Sequence, residues 1–170
     1  MRKTKQKNNL NKILDNAAFN KDITVESRLD FSPDTVSTVF LNLIKNYNIG
    51  YYELNPYKSK NATTQDFFSP LASQIEHLKK GYNRENVVVS IENSTFLDQK
   101  FENLLTISEI KLEAIVSVGY TETNIIGGNQ VNVILEKQST YVFINSDKGW
   151  KIGAEQNFKI LKKIFFYKPL

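Results

Sequence analysis

The feature that most constrains this chain is a change of hydrophobic period near residue 87. Beyond it, Ile110, Leu112, Ala114, Val116, Val118 and Tyr120 fall on alternate positions, with Lys111, Glu113, Ser117 and Thr121 between them. Successive strand residues point to opposite faces, so this is a long strand with one face buried and one wet. Gly127-Gly128-Asn129 gives the backbone freedom of a tight turn, and Val131 to Ile144 continues as the antiparallel partner. Folding about that turn pairs Tyr120 with Leu135, Ala114 with Tyr141 and Leu112 with Phe143. The same register sets Lys137 by Val118 and Ser139 by Val116, interrupting the apolar face midway, where a bend, a bulge or a wet cavity fits. A second turn, Ser146-Asp147-Lys148-Gly149, aligns Trp150 with Asn145, Ile152 with Phe143 and Ala154 with Tyr141. Val87 to Ile91 is another β-branched run, and Phe158 to Tyr167 extends the last strand or forms an edge. Its Ile164-Phe165-Phe166-Tyr167 is apolar enough to need a cover.

Upstream the period is helical. Ser32-Pro33-Asp34 combines a capping hydroxyl, a residue suited to the first turn and a charge opposing the helix dipole. Val36, Val39, Phe40, Leu43, Ile44 and Tyr47 then form one apolar stripe, and Asn48 and Gly50 are expected to end the helix. An aromatic connection, Tyr51, Tyr52, Leu54 and Tyr57, leads to a second helix signalled by Thr63 or Thr64 with Asp66, or by Ser69-Pro70. Its stripe is Phe67, Phe68, Leu71, Ile75, Leu78 and Tyr82, with Gly81 placed for a left-handed C-terminal residue. The expected fold class is therefore α+β, two N-terminal helices packed on a strongly curved antiparallel sheet, a meander of long strands.

A length of 170 residues suits one core, so a single domain is expected over 31–170, preceded by a polar, Asn- and Lys-rich arm over 1–30. The net charge of +4 comes mostly from the ends, Arg2, Lys3, Lys5 and Lys7 at one and Lys159, Lys162, Lys163 and Lys168 at the other. A solvated terminus explains the basic arm more simply than a nucleic-acid contact does, and no continuous basic stripe runs through the chain. The absence of cysteine excludes disulfides and thiolate chemistry but does not fix a compartment. No apolar run is long enough for a transmembrane segment.

The chain offers few groups arranged for chemistry. The sole histidine, His77, projects away from the Leu71, Ile75, Leu78 stripe and belongs at a flank or on the surface. Asp98, Glu102, Glu109 and Glu113 show no acid/base spacing, and no His or Cys cluster suits a metal, so neither a metal nor another cofactor is expected. Gly127-Gly128 lacks a phosphate-loop pattern and reads as a turn. Tyr51, Tyr52 and Tyr57 beside Lys58 and Lys60 put aromatics among bases, but an edge of the core accounts for them.

Two helices, a meander and the closing hairpin with Gly149-Trp150-Lys151-Ile152 resemble, over roughly Ser32 to Lys159, the cone-shaped nuclear transport factor 2-like (cystatin-like) superfamily. That resemblance implies a fold shared by enzymes, ligand carriers and assembly domains of bacterial conjugation and secretion machines, so it does not choose a function. With no catalytic set in view, the chain is more similar to the scaffold branches, which sit beside membranes and bind other proteins. The expectation is a non-enzymatic interaction or scaffold domain with a protein partner or a second copy, contacting it through Ile164, Phe165, Phe166 and Tyr167 or through the convex sheet edge. The alternatives are a small-ligand binder or enzyme with a pocket bordered by Tyr120, Lys137, Ser139 and Tyr141, and a nucleic-acid-binding accessory protein.

Overall fold

The computed structural model describes residues 33–97 and 109–167. Three helices, α1 (Pro33–Glu53), α2 (Tyr57–Lys60) and α3 (Gln65–Lys79), precede four strands, β1 (Tyr82–Leu97), β2 (Glu109–Asn124), β3 (Gln130–Ser146) and β4 (Gly149–Tyr167). The strands form one curved antiparallel sheet in the order β1-β2-β3-β4, a meander that does not close, so the α+β class expected from the sequence holds. Between the expected helices lies a third, the single turn α2. The arm over 1–30, Ser32, and the carboxylates Asp98 and Glu102 fall outside the described residues.

The apolar stripe buries α1 on the sheet through Val39, Phe40, Leu43, Ile44 and Tyr47. Phe40 is the hub, its ring centre 4.4 Å from Phe143, 5.3 Å from Trp150 and 5.9 Å from Phe96. Such aromatic contacts each contribute about 0.5–1.5 kcal/mol beyond area burial. Contrary to expectation, α1 does not end at Asn48 or Gly50 but runs on to Glu53, and Leu54 takes the left-handed conformation that stops it (φ 60°). Gly50 serves close approach instead: a Cβ there would lie 2.6 Å from the Ser59 amide nitrogen. Tyr51 and Tyr52 are consequently in the last turn of α1, not in a connection.

Thr64 caps α3, its hydroxyl accepting from the Phe67 amide at 3.2 Å, and Leu71 and Ile75 are its buried residues. Pro70 lies inside α3, so the Ser69-Pro70 start is not used. Gly81 does not adopt a positive φ, and Tyr82 begins β1 and does not prolong the helical stripe.

Parity across the central hairpin is as expected, but its register is displaced by two residues: Tyr120 pairs with Val133, Ala114 with Ser139 and Leu112 with Tyr141. The cause is the turn. The Asn124 side chain accepts from the amides of Ile126 (3.0 Å) and Gly127 (2.9 Å), and the Gly128 amide reaches the Asn124 carbonyl at 2.8 Å. That arrangement yields a five-residue loop, with Gly128 at φ 72°. A two-residue shift keeps every side chain on its own face, so burial does not oppose it.

The second hairpin starts as expected, Trp150 opposite Asn145 and Ile152 opposite Phe143, then slips. Gly153 is an extra residue, after which Ala154 pairs with Val142 and Glu155 takes the position opposite Tyr141 that was expected for Ala154. A Cβ on Gly153 would stand 2.6 Å from Ile144 Cγ1, so this bulge suits glycine. Two further shifts in β4 follow, opposite Gln138–Thr140 and Glu136–Lys137. Bulges concentrated in one strand bend it and increase its twist, which is how the sheet curves around α1.

Candidate functional site

The slip at Gly153 determines the polar interior. Lys137, on the helix-facing side of β3, has 2% of its surface exposed, and Ser139 and Tyr141 beside it are as deeply buried. A buried ammonium without a partner would be costly. The displaced Glu155 supplies the partner at 3.0 Å. Ser139 Oγ donates to the same carboxylate oxygen at 2.6 Å, and Tyr47 OH, reaching down from α1, donates to the other at 2.7 Å. The Lys137 ammonium also faces the rings of Tyr52 (5.1 Å), Phe158 (5.5 Å) and Tyr47 (5.8 Å).

Alongside, Asn48 Nδ2 donates to the Ile44 carbonyl at 2.8 Å and to Tyr141 OH at 3.2 Å. Asn48 therefore ties α1 to β3 and is not a helix stop. Its Oδ1 is buried with no partner among the described residues.

The electrostatics follow from burial and one negative charge. Burial, with the Glu155 carboxylate close by, holds the hydroxyls of Tyr47 and Tyr141 well above the usual phenol range. Burial lowers the Lys137 ammonium, against the opposing pull of Glu155. For Glu155 burial alone would raise the carboxyl, but the Lys137 charge and the bonds from Ser139, Tyr47 and Lys137 together outweigh it and hold it below the ordinary value. The phenols thus stay protonated donors and the carboxylate stays charged, a set whose strong members are spent on one another.

Of the four residues expected to border a pocket, Lys137, Ser139 and Tyr141 are brought together. Tyr120 belongs to a neighbouring cluster: it stacks on Tyr52 at 5.9 Å and lies under the Arg84 guanidinium at 4.6 Å, while Arg84 Nε bonds Glu122 at 2.8 Å. Tyr52 links the two clusters. Sequence reasoning missed Glu155 because strict alternation puts it on the outer face; the available signal was Gly153, a glycine inside a strand pattern. It missed Asn48 by reading it as a terminator.

An open cleft of about 350 Å³ lies at another place, lined by Glu53, Leu54, Lys79, Tyr82, Asn83 and Ile125. None of the four expected pocket residues lines it. His77 is exposed on α3, Glu109 is exposed, and Glu113 is on the outer face of β2. Among the described residues, no group of three or more acidic or histidine side chains is placed to hold a metal ion. No helix there is long and apolar enough to cross a membrane.

The expected contact segment ends β4. Ile164 is half-buried, while Phe165, Phe166 and Tyr167 are 52%, 49% and 79% exposed. By register Phe165 and Tyr167 share the helix-facing side with Val133 and Val131, and Ile164 and Phe166 share the opposite side with Ile134 and Asn132.

No protein-family model matches the chain, and no curated protein matches it.

Proposed function

We propose that the chain is a non-enzymatic protein-interaction domain, a scaffold or subunit of a larger assembly, built on the cone architecture of the nuclear transport factor 2-like superfamily. The observation that carries this reading is the far part of β4. There an edge strand presents Phe158, Ile160, Leu161, Phe165, Phe166 and Tyr167 as exposed large apolar side chains, distributed over both faces of the sheet. Scattered exposed apolar residues are ordinary, but aromatics concentrated along an edge that no described strand covers are what interfaces use as anchors. The polar interior supports the same reading, since Lys137, Ser139, Tyr47 and Glu155 satisfy one another and hold the sheet to α1. The resemblance to scaffold branches extends the proposal to a bacterial membrane-associated transfer or secretion assembly. A photoreactive phenylalanine at Phe166, in cells that make the protein natively, is expected to give a discrete protein adduct that the same group at Glu113 does not. Equal labelling at both positions would overturn the placement.

A second reading rests on Asn48 Oδ1, a buried acceptor without a donor among the described residues. A small donor molecule seated by Asn48 and Tyr141 would satisfy it. Native mass spectrometry of the purified protein is expected, on that reading, to show an adduct that Asn48→Leu removes; a single bare mass in both proteins contradicts it.

A further inference from the structure

The near part of β4 is already covered at its outer edge. The Ile152 amide donates to the Ala62 carbonyl at 2.8 Å, and the Ile152 carbonyl accepts from the Thr64 amide at 2.9 Å, so the α2–α3 connection pairs there as a one-residue parallel bridge. Lys151 Nζ reaches the Asn61 carbonyl as well. Beyond Glu155 no strand among the described residues pairs with that edge, although β4 stays paired with β3 as far as Tyr167. An unpaired edge of this length presents a row of amides and carbonyls open to another chain.

Charge selects what can occupy it. From Gln156 to Tyr167 the strand holds Lys159, Lys162 and Lys163 and no acidic residue. None of these lysines forms an ion pair with a described residue, although Lys162 stands across from Glu136 in the register, and Lys163 leans on the Phe165 ring at 5.1 Å. A second copy adding its own β4 antiparallel to this stretch would bring three more lysines to the same edge and no acidic residue to meet them, which is unfavourable for like charges on neighbouring strands. The first twelve residues of the chain's own N-terminal arm, with Arg2, Lys3, Lys5 and Lys7, carry the same sign and no acid. An acidic segment has the complementary charge, and apolar residues alternating with its acids match the aromatics on the edge.

Building on the interaction reading above, we infer that the outer edge of β4 from Lys159 to Tyr167 accepts an added strand from a partner segment that alternates acidic and apolar residues. Main-chain bonds supply affinity, and the lysines and aromatics supply selection.

The test uses the full chain and a fluorescent synthetic decapeptide alternating Glu and Val, with two controls: the Lys/Val counterpart and the Glu/Val peptide N-methylated at alternate amides. Saturable binding of the Glu/Val peptide is expected, weakened about tenfold or more in Lys159→Glu/Lys162→Glu/Lys163→Glu and by added salt, and lost on N-methylation. These lysines are exposed, and an unchanged thermal midpoint of the variant checks that the fold persists. Equal affinity of the N-methylated or Lys/Val peptide, or an unchanged affinity in the lysine variant, overturns the inference. So does lysine-dependent binding to phosphatidylserine vesicles or lysine-sensitive self-association in sedimentation without peptide binding, either of which assigns the edge to a membrane or a second copy. If the peptide fails while the photoreactive group at Phe166 still gives its adduct, strand addition falls and the interaction reading stands. If neither occurs, both fall.

Discussion

From Gly149 to Glu155, β4 is enclosed: Trp150 packs edge-on against Phe40, Ile152 is fully buried, and Glu155 closes the Lys137 circuit. From Gln156 to Tyr167 the same strand keeps its ladder to β3 but leaves most of its apolar side chains in contact with water. Both halves carry bulges yet stay paired with β3, so the ladder does not distinguish them. What differs is the layer above, since Tyr47 of α1 bonds Glu155 and the α2–α3 connection bonds Ile152, both in the first half. The near half is where the chain spends sequence on folding, and the far half is where its exposed apolar surface is concentrated.

The largest effect that separates the halves is expected at the ion pair. Lys137→Met leaves the Glu155 carboxylate buried without its cation and should cost about 3–5 kcal/mol in urea unfolding. Lys137→Met combined with Glu155→Leu should recover most of that loss, because the desolvated charge is gone. A double variant as unstable as the single one would mean that the pair does more than satisfy itself.

Next in size is the bulge. Gly153→Ala places a methyl against Ile144 and should cost about 1–3 kcal/mol, with loss of the register that brings Glu155 inward. Unchanged stability would show that β4 slips without it.

Acid gives a smaller, signed effect. Because the Glu155 carboxyl is held below its ordinary value, the unfolded chain binds a proton there before the folded chain does. Its contribution is therefore fully present above the ordinary carboxylate value and is lost as pH falls through the lower folded one. The Lys137→Met/Glu155→Leu protein should lack that part of the acid loss, as followed by circular dichroism between pH 5 and pH 2. Smallest of all, Phe166→Ser in the far half should change stability by no more than about 0.5 kcal/mol, while removing the contact proposed for that surface. A loss comparable to the Gly153 variant would place Phe166 in the core.

How legible this was in the sequence follows the same division. Alternation at Ile110 to Tyr120 marks a half-buried strand because one face meets α1, and the Val39 to Tyr47 spacing marks α1 for the same reason. Parity was readable; absolute register was not, because Asn124 captures the turn amides and lengthens the loop without moving any residue to the wrong face. Lys137 and Ser139 announced an interruption in the apolar face. Their partner stayed hidden, since a one-residue bulge at Gly153 turns an outward Glu155 inward and a period-two pattern does not register it. Asn48 and Gly50 were misleading for a related reason: both resemble helix stops, yet one bonds across to Tyr141 and the other makes room for Ser59.

The contrast between the halves is tested most directly by amide hydrogen exchange along β4 in the free protein. Amides at Trp150 to Glu155, the bulged Gly153 apart, are expected to exchange only through global unfolding, and outer-edge amides between Lys159 and Tyr167 about a hundredfold faster or more. Uniform protection from Trp150 to Tyr167 would show that the far half is covered in the free chain, and would contradict its assignment as an open interaction edge.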